Sequence, residues 1–217
     1  YALVPRAAVE EFTAAVAEEF RSMYPNTVGN ADYTSIITDR HADRLRGLVA
    51  DASDKGGKVI TVGEHGDGRQ LPLAMVTEVH DEMEIAQEEI FGPLLPVIPY
   101  DSYEEAVAYI RDRPRPLALY AFGIDGEALE ELSRETHAGG MSLNDWGWHA
   151  FQHDLPFGGI GNSGMGSYHG EEGFRELSHA KAMFRRHRFF PTGILYPPYG
   201  GILQRLTLRL FLKDPKD

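Results

Sequence analysis

The 217 residues carry 21 Lys and Arg against 33 Asp and Glu, a formal net charge of -12, with 42% apolar residues and no cysteine. That charge repels a phosphate backbone or an anionic membrane over most of the surface, so it argues against a nucleic-acid binder or a membrane partner. The lack of cysteine excludes disulfides, thiolate metal sites and a cysteine nucleophile within these residues. Apolar runs such as "LALYAF" and "PLLPVIPY" fall far short of the roughly 18 residues of a membrane-spanning helix. The default expectation is a cytoplasmic globular protein.

Along the chain, "PRAAVEEFTAAVAEEFRSMY" sets Pro5 at a helix start, with Val9, Phe12, Val16 and Phe20 at steps of three and four. "DRHADRLRGLVADAS" repeats the pattern with Leu45, Leu48, Val49 and Ala52 on one face and Asp39 as candidate N-cap. "KVITVG" and "LPLAMVTEV" are β-branched runs separated by turn residues, and "LLPVIPY" is a third strand. "SYEEAVAYIRDR" opens with Ser102 and Glu105 in capping-box spacing and stops before "PRP". "LALYAFG" predicts a strand, "GEALEELSRETHAGG" a helix and "GMSLN" another strand. Alternating strands and helices imply an α/β fold, a largely parallel sheet with flanking helices. Residues 145–169 read as a long loop rich in Gly, Trp, His and Phe, and loops of that length are usually functional. "EEGFREL" is a short helix, "AKAMFRRHRFF" an extended segment, "PTGILYPPYGG" a Pro/Gly-rich tail, and residues 202–217 an amphipathic piece of unassigned role.

Gly159-Ile160-Gly161-Asn162-Ser163-Gly164 matches G-x-G-x-x-G letter for letter, yet lacks the preceding strand, the following helix and the acidic residue about 20 positions on that a dinucleotide fingerprint requires. A Gly-rich turn is the better reading. Ser163 fails as a nucleophile elbow because Met165 stands where glycine is needed. His149 and His153 would align on a helix, but the metalloprotease glutamate is absent, which favours a packing role over zinc. Tyr168 and His169 could be an acid/base pair or simply structural. Glu88 and Glu89 are either a solvated acidic turn or a carboxylate set to accept hydrogen bonds from a ribose diol beside Phe91. Trp146, Trp148, Phe151 and Phe157 are either core or the lining of a pocket for aromatic ligands.

Two blocks, "EEIFGP" at 88–93 and "LPFGGIGNSGMGSYHGEEGF" at 155–174, together resemble the carboxyl-terminal portion of NAD(P)-dependent aldehyde dehydrogenases. "GNSGMGSYHG" and "YPPY" resemble the class 3 branch, which includes fatty and coniferyl aldehyde dehydrogenases. The resemblance implies oxidation of an aldehyde to its acid with NAD or NADP, through a cysteine thiohemiacetal and a glutamate-activated water. It implies that Glu89 binds the nicotinamide ribose, that Phe91 contacts the nicotinamide, and that Gly147, Ala150, Phe151 and Phe157 line the aldehyde pocket. It further implies a catalytic-domain portion at 1–178, an oligomerisation arm at 179–190 that pairs with a second copy in a homodimer, and a tail at 191–217. Tyr1 matches a position about five residues after the nucleophile, so the cysteine and the base glutamate are expected upstream and the 217 residues alone are expected to be inactive. The competing expectation is a non-catalytic assembly module.

Overall fold

Every second residue of the strand Leu73–Thr77 faces a different helix, and this alternation organises the fold. In a computed structural model describing residues 1–66, 68–124, 126–188, 193 and 196–211, this strand, β3, pairs antiparallel with β2 (Lys58–Val62) and parallel with β4 (Leu94–Tyr100). β4 pairs parallel with β1 (Ala2–Pro5), giving a four-stranded sheet in the order β1-β4-β3-β2. Leu73 and Met75 join Val4, Val62 and Val97 under α1 (Val9–Met23), whose Phe12, Val16 and Phe20 pack on them. Ala74 and Val76 turn the other way, into the Leu45, Leu48 and Ala52 stripe of α2 (Asp39–Asp54). A strand covered on both faces is apolar throughout, which is why "LAMV" shows no polar alternation. The one-turn helix α3 (Glu84–Gln87) adds Ile85 to the α2 side.

β5 (Ala118–Ala121) and β6 (Gly140–Leu143) form a separate parallel pair, with α4 (Tyr103–Arg111) before β5 and α5 (Gly126–Glu135) as the crossover. Val107, Ala121 and Leu132 make their core, with Leu119 and Met141 at its border. Beyond β6 come α6 (Trp148–Phe151), a 3-10 turn at Gly161–Ser163, α7 (Gly170–Glu176) and α8 (Ile202–Phe211). Three of the four strand pairings are parallel, so the α/β expectation holds. The antiparallel exception is the β2–β3 pair, whose short connection permits no crossover.

Local chemistry corrects several details. Thr38, not Asp39, caps α2: its hydroxyl accepts from the His41 N–H at 3.2 Å, and Asp39 is the first helical residue. Ser102 caps α4 as expected, but Glu105 reaches one residue further back, accepting from the Asp101 N–H at 2.7 Å. Residues 179–188 of the expected arm lie in no helix or strand and are exposed; residues 189 and 190 lie outside the described residues. α8 buries none of its residues, and Ile202, Leu203, Leu206, Leu210 and Phe211 are all exposed.

Candidate active-site residues

His41 and Arg44 stand three apart on α2 and so share a face, and both reach the loop that leads into β4. One nitrogen of the Arg44 guanidinium donates to the Glu89 carbonyl at 2.7 Å and to the Ile90 carbonyl at 2.6 Å, and His41 Nε2 lies 3.0 Å from the Phe91 carbonyl. Ile90 packs against the α2 core. Gly92 follows with no room to spare, since a Cβ there would sit 2.4 Å from Leu45 Cδ1. The backbone of 89–92 is therefore held from three directions. It is held in an uncommon shape: Phe91 has φ of 55°, a left-handed conformation that a bulky residue adopts only where its surroundings enforce it.

Ile90 apart, the side chains on this clamped backbone stay largely open, the Phe91 ring meeting the His41 ring edge-on with centres 6.5 Å apart. Glu88 lies 3.8 Å from Arg44 Nη1, a distance too long and too exposed to matter much. The Glu89 carboxylate is exposed and has no partner among the described residues, and the Phe91 ring is 71% exposed. Behind Phe91 opens a groove of about 560 Å³ bordered by Tyr24, Tyr33, Ile36, His41, Phe91 and Pro93. Burial raises the Tyr33 hydroxyl above its ordinary value, keeping it protonated as the donor to the Leu71 carbonyl at 2.6 Å.

The second group of residues gathers at the end of β6. Gly147 takes φ of 62° just before α6, a turn that glycine makes without strain. On α6, Trp148 and Phe151 are 56% and 63% exposed with ring centres 5.8 Å apart, and Ala150 is half-buried between them. Phe157 forms an antiparallel bridge with Tyr168, exchanging N–H···O bonds of 2.9 Å in both directions. Its ring stands 5.6 Å from Tyr168 and 5.7 Å from His149, the one buried residue of α6. The aromatic cluster is thus mostly surface, with Phe157 alone at the boundary of the packed interior.

Between Phe157 and Tyr168 the glycines fold the chain on itself. Ser163 Oγ accepts from the Ile160 N–H at 2.9 Å and donates to the Ile160 carbonyl at 3.0 Å. A Cβ on Gly159 would lie 2.0 Å from the Ser163 carbonyl oxygen, and one on Gly158 would lie 2.1 Å from that of Gly166. These close backbone approaches account for the glycines as turn formers, and no strand leads into the motif nor does a helix follow directly from it.

Glu89 and Phe91 belong to the loop beside the four-stranded sheet, whereas Gly147, Ala150, Phe151 and Phe157 follow the two-stranded one. The groove bordered by Phe91 includes none of those four. His149 and His153 do not align, because α6 ends at Phe151; the His153 ring instead lies tilted against His169, with centres 5.2 Å apart. Among the described residues no three His, Cys, Asp or Glu side chains converge as a metal site would require. Sequence reasoning missed His41 and Arg44 as the clamp, although their i, i+3 spacing on the polar edge of a legible helix was available as a signal.

The aldehyde dehydrogenase family pattern matches residues 1–183, and the chain belongs to that family. It is 48% identical over 213 residues to a protein of Pseudomonas aeruginosa described as a probable coniferyl aldehyde dehydrogenase, covering 98% of this chain and 45% of that one. Among solved structures it is similar to the substrate-bound state of Staphylococcus aureus AldH, with 34% identity and a TM-score of 0.79 over 97% of this chain and 45% of the other. A Mycobacterium tuberculosis aldehyde dehydrogenase complexed with NAD+ is 30% identical, with a TM-score of 0.69 over 80% of this chain and 37% of the other. The chain spans between 37% and 45% of the length of these relatives. No helix among the described residues is long and apolar enough to cross a membrane.

Proposed function

We propose that this chain forms the carboxyl-terminal part of the catalytic domain of an NAD(P)-dependent aldehyde dehydrogenase that oxidises an aldehyde to its carboxylic acid. The observation that carries the proposal is the clamp on residues 89–91. Arg44 and His41 occupy the backbone carbonyls and leave the Glu89 carboxylate without a partner among the described residues and the Phe91 ring 71% exposed, with the His41 ring edge-on at 6.5 Å. An ionised carboxylate offers two acceptor oxygens, which suits the vicinal hydroxyls of a nicotinamide ribose, and an exposed ring on a rigid backbone suits a flat base. These residues therefore fit the dinucleotide, which when bound supplies the hydride acceptor.

Gly147, Ala150, Phe151 and Phe157 form one wall of the aldehyde pocket in this proposal, with Phe157 fixed by its bridge to Tyr168. The exposed rings of Trp146, Trp148 and Phe151 favour an aromatic, coniferyl-like aldehyde over a long aliphatic one. The name of the Pseudomonas aeruginosa relative supports the same preference. With no cysteine and so no thiolate to attack the carbonyl, the 217 residues alone do not catalyse the reaction. Residues 180–190 pair with a second copy in a homodimer, an edge contact open to residues 180–188, which are exposed and lie in no helix or strand.

The test is a chimera carrying residues 1–183 in place of the matching segment of the Pseudomonas aeruginosa relative, assayed beside the 217-residue chain. The chimera is expected to form NAD(P)H with coniferyl aldehyde and to prefer it to a long aliphatic aldehyde. Aldehyde-dependent NAD(P)H formation by the isolated chain would overturn the division of labour, and a strong aliphatic preference in the chimera would overturn the substrate reading.

A further inference from the structure

α6 is a single helical turn, and one turn does not hold itself together in water. Trp148 and Phe151 face solvent, so packing of those rings does not anchor it either. What remains is His149, 8% exposed and the only buried residue of the turn. Its Nδ1 lies 2.8 Å from Ser142 Oγ, and its backbone N–H donates to the same oxygen at 3.4 Å. Ser142 is itself 8% exposed.

The strand makes this contact specific. Gly140 and Ser142 are two apart on β6 and so point to one face, as does Tyr120, the register partner of Ser142 on β5. His149 lies over that face, with its ring 6.2 Å from Tyr120. A Cβ at Gly140 would fall 2.5 Å from His149 Cδ2 and 2.7 Å from Nε2, so the imidazole occupies the space that a side chain at 140 would fill. On its other side the ring meets Phe157 at 5.7 Å. His149 Nε2 is buried without a hydrogen-bond partner among the described residues, a cost carried there to keep an imidazole in this place. A plain apolar contact would not need that.

We propose that His149, seated on Ser142 in the space left by Gly140, is a positioning residue that fixes the turn bearing Gly147, Ala150 and Phe151 against Phe157 and thereby sets aldehyde affinity and selectivity. This rests on the reading of those four residues as the aldehyde wall. His149 acts through the wall and does not touch the substrate.

The test uses the chimera described above with Ser142→Ala, Gly140→Ala, His149→Ala and His149→Asn, and Phe157→Ala as the control for the wall itself. Ser142→Ala removes one oxygen atom and leaves His149 Nδ1 without it, and is expected to lower the thermal midpoint by roughly 2–4 °C while the chimera still folds. Through the loosened wall it is expected to raise the aldehyde KM about 5- to 10-fold, with the cofactor KM unchanged. Gly140→Ala is expected to raise the aldehyde KM likewise and to lower the aromatic-to-aliphatic kcat/KM ratio by displacing the ring. His149→Asn, which keeps a polar atom facing Ser142, is expected to recover part of what His149→Ala loses. If Ser142→Ala and Gly140→Ala fold as the parent does and leave aldehyde KM and selectivity unchanged while Phe157→Ala alters them, the positioning role is wrong and the wall stands. If Phe157→Ala also changes nothing, the wall reading fails and this inference fails with it.

Discussion

Arg44 and Glu89 meet through the backbone of Glu89 and not through its carboxylate: the guanidinium donates to the Glu89 carbonyl at 2.7 Å, and the acid group has no partner among the described residues. An ion pair between the two would have neutralised the acceptor that the proposed diol contact requires. The consequence is a separation of tasks, in which Arg44 shapes the loop and Glu89 remains available to a ligand.

That separation gives opposite outcomes for two substitutions. Glu89→Gln should leave the stability of the chain within about 0.5 kcal/mol in urea denaturation, since an unpartnered exposed carboxylate stabilises nothing. In the chimera it should raise the NAD(P) KM roughly 10- to 100-fold, the range for losing hydrogen bonds to a charged acceptor. Arg44→Met should lower stability by about 1–2 kcal/mol through loss of both carbonyl contacts and should also weaken cofactor binding.

Gly92→Ala tests how tightly the loop is seated. The added methyl would meet Leu45 Cδ1 at 2.4 Å, and Leu45 is fully buried in the α2 core, so the loop or the core must shift to admit it. A loss of about 1–3 kcal/mol in denaturation, the usual range for overpacking, is expected together with a raised cofactor KM. Retained stability would mean that the loop is looser than the geometry describes.

The acid limb of stability should depend on Asp51. The hydrogen bond from Lys55 at 2.5 Å, and then the Glu84 N–H at 2.8 Å, hold its carboxyl below the ordinary carboxylate range. A carboxylate depressed in the folded state contributes stability above its unfolded value, near 4, and loses it as pH falls through the folded value. Asp51→Asn should therefore flatten the decline in urea midpoint below about pH 4. An unchanged acid limb would contradict the assignment.

The alkaline limb should depend on Tyr109. Burial pushes its hydroxyl up to about 12, against the opposing influence of Arg113, whose guanidinium lies 3.2 Å from the ring centre. Between its unfolded value near 10 and about 12 the unfolded chain has released this proton and the folded chain still holds it, so stability falls as pH rises through that window. Tyr109→Phe keeps the ring for Arg113 and for Tyr1, 5.2 Å away, and should reduce that fall when urea midpoints are followed from pH 9 to 12.

The elements with long periodic faces were legible in the sequence. Val9, Phe12, Val16 and Phe20 specify α1, and Leu45, Leu48 and Ala52 specify α2, because each stripe is several turns long and packs on a strand with no polar interruption. β1 was not legible: four residues ahead of a helix carry no alternation, and their pairing with β4 is a contact across more than 90 residues. Thr38 and Asp39 are both good caps in isolation, and only the chain direction entering α2 distinguishes them. The acidic pair at 88 and 89 was visible but ambiguous, since which carboxylate is left unused depends on where Arg44 reaches. The sequence favoured a packing role for His149 over a zinc pair with His153, but what it packs on was not legible, because Gly140 and Ser142 lie on the preceding strand.

The central claim is that these residues supply a ribose-binding carboxylate and an aldehyde wall to one catalytic unit, and steady-state kinetics of the chimera bearing Glu89→Gln or Phe157→Ala test it most directly. The account predicts a split: Glu89→Gln raises the KM for NAD(P) with little change for coniferyl aldehyde, and Phe157→Ala raises the KM for the aldehyde with little change for the cofactor. An active chimera in which neither substitution moves either constant would contradict it.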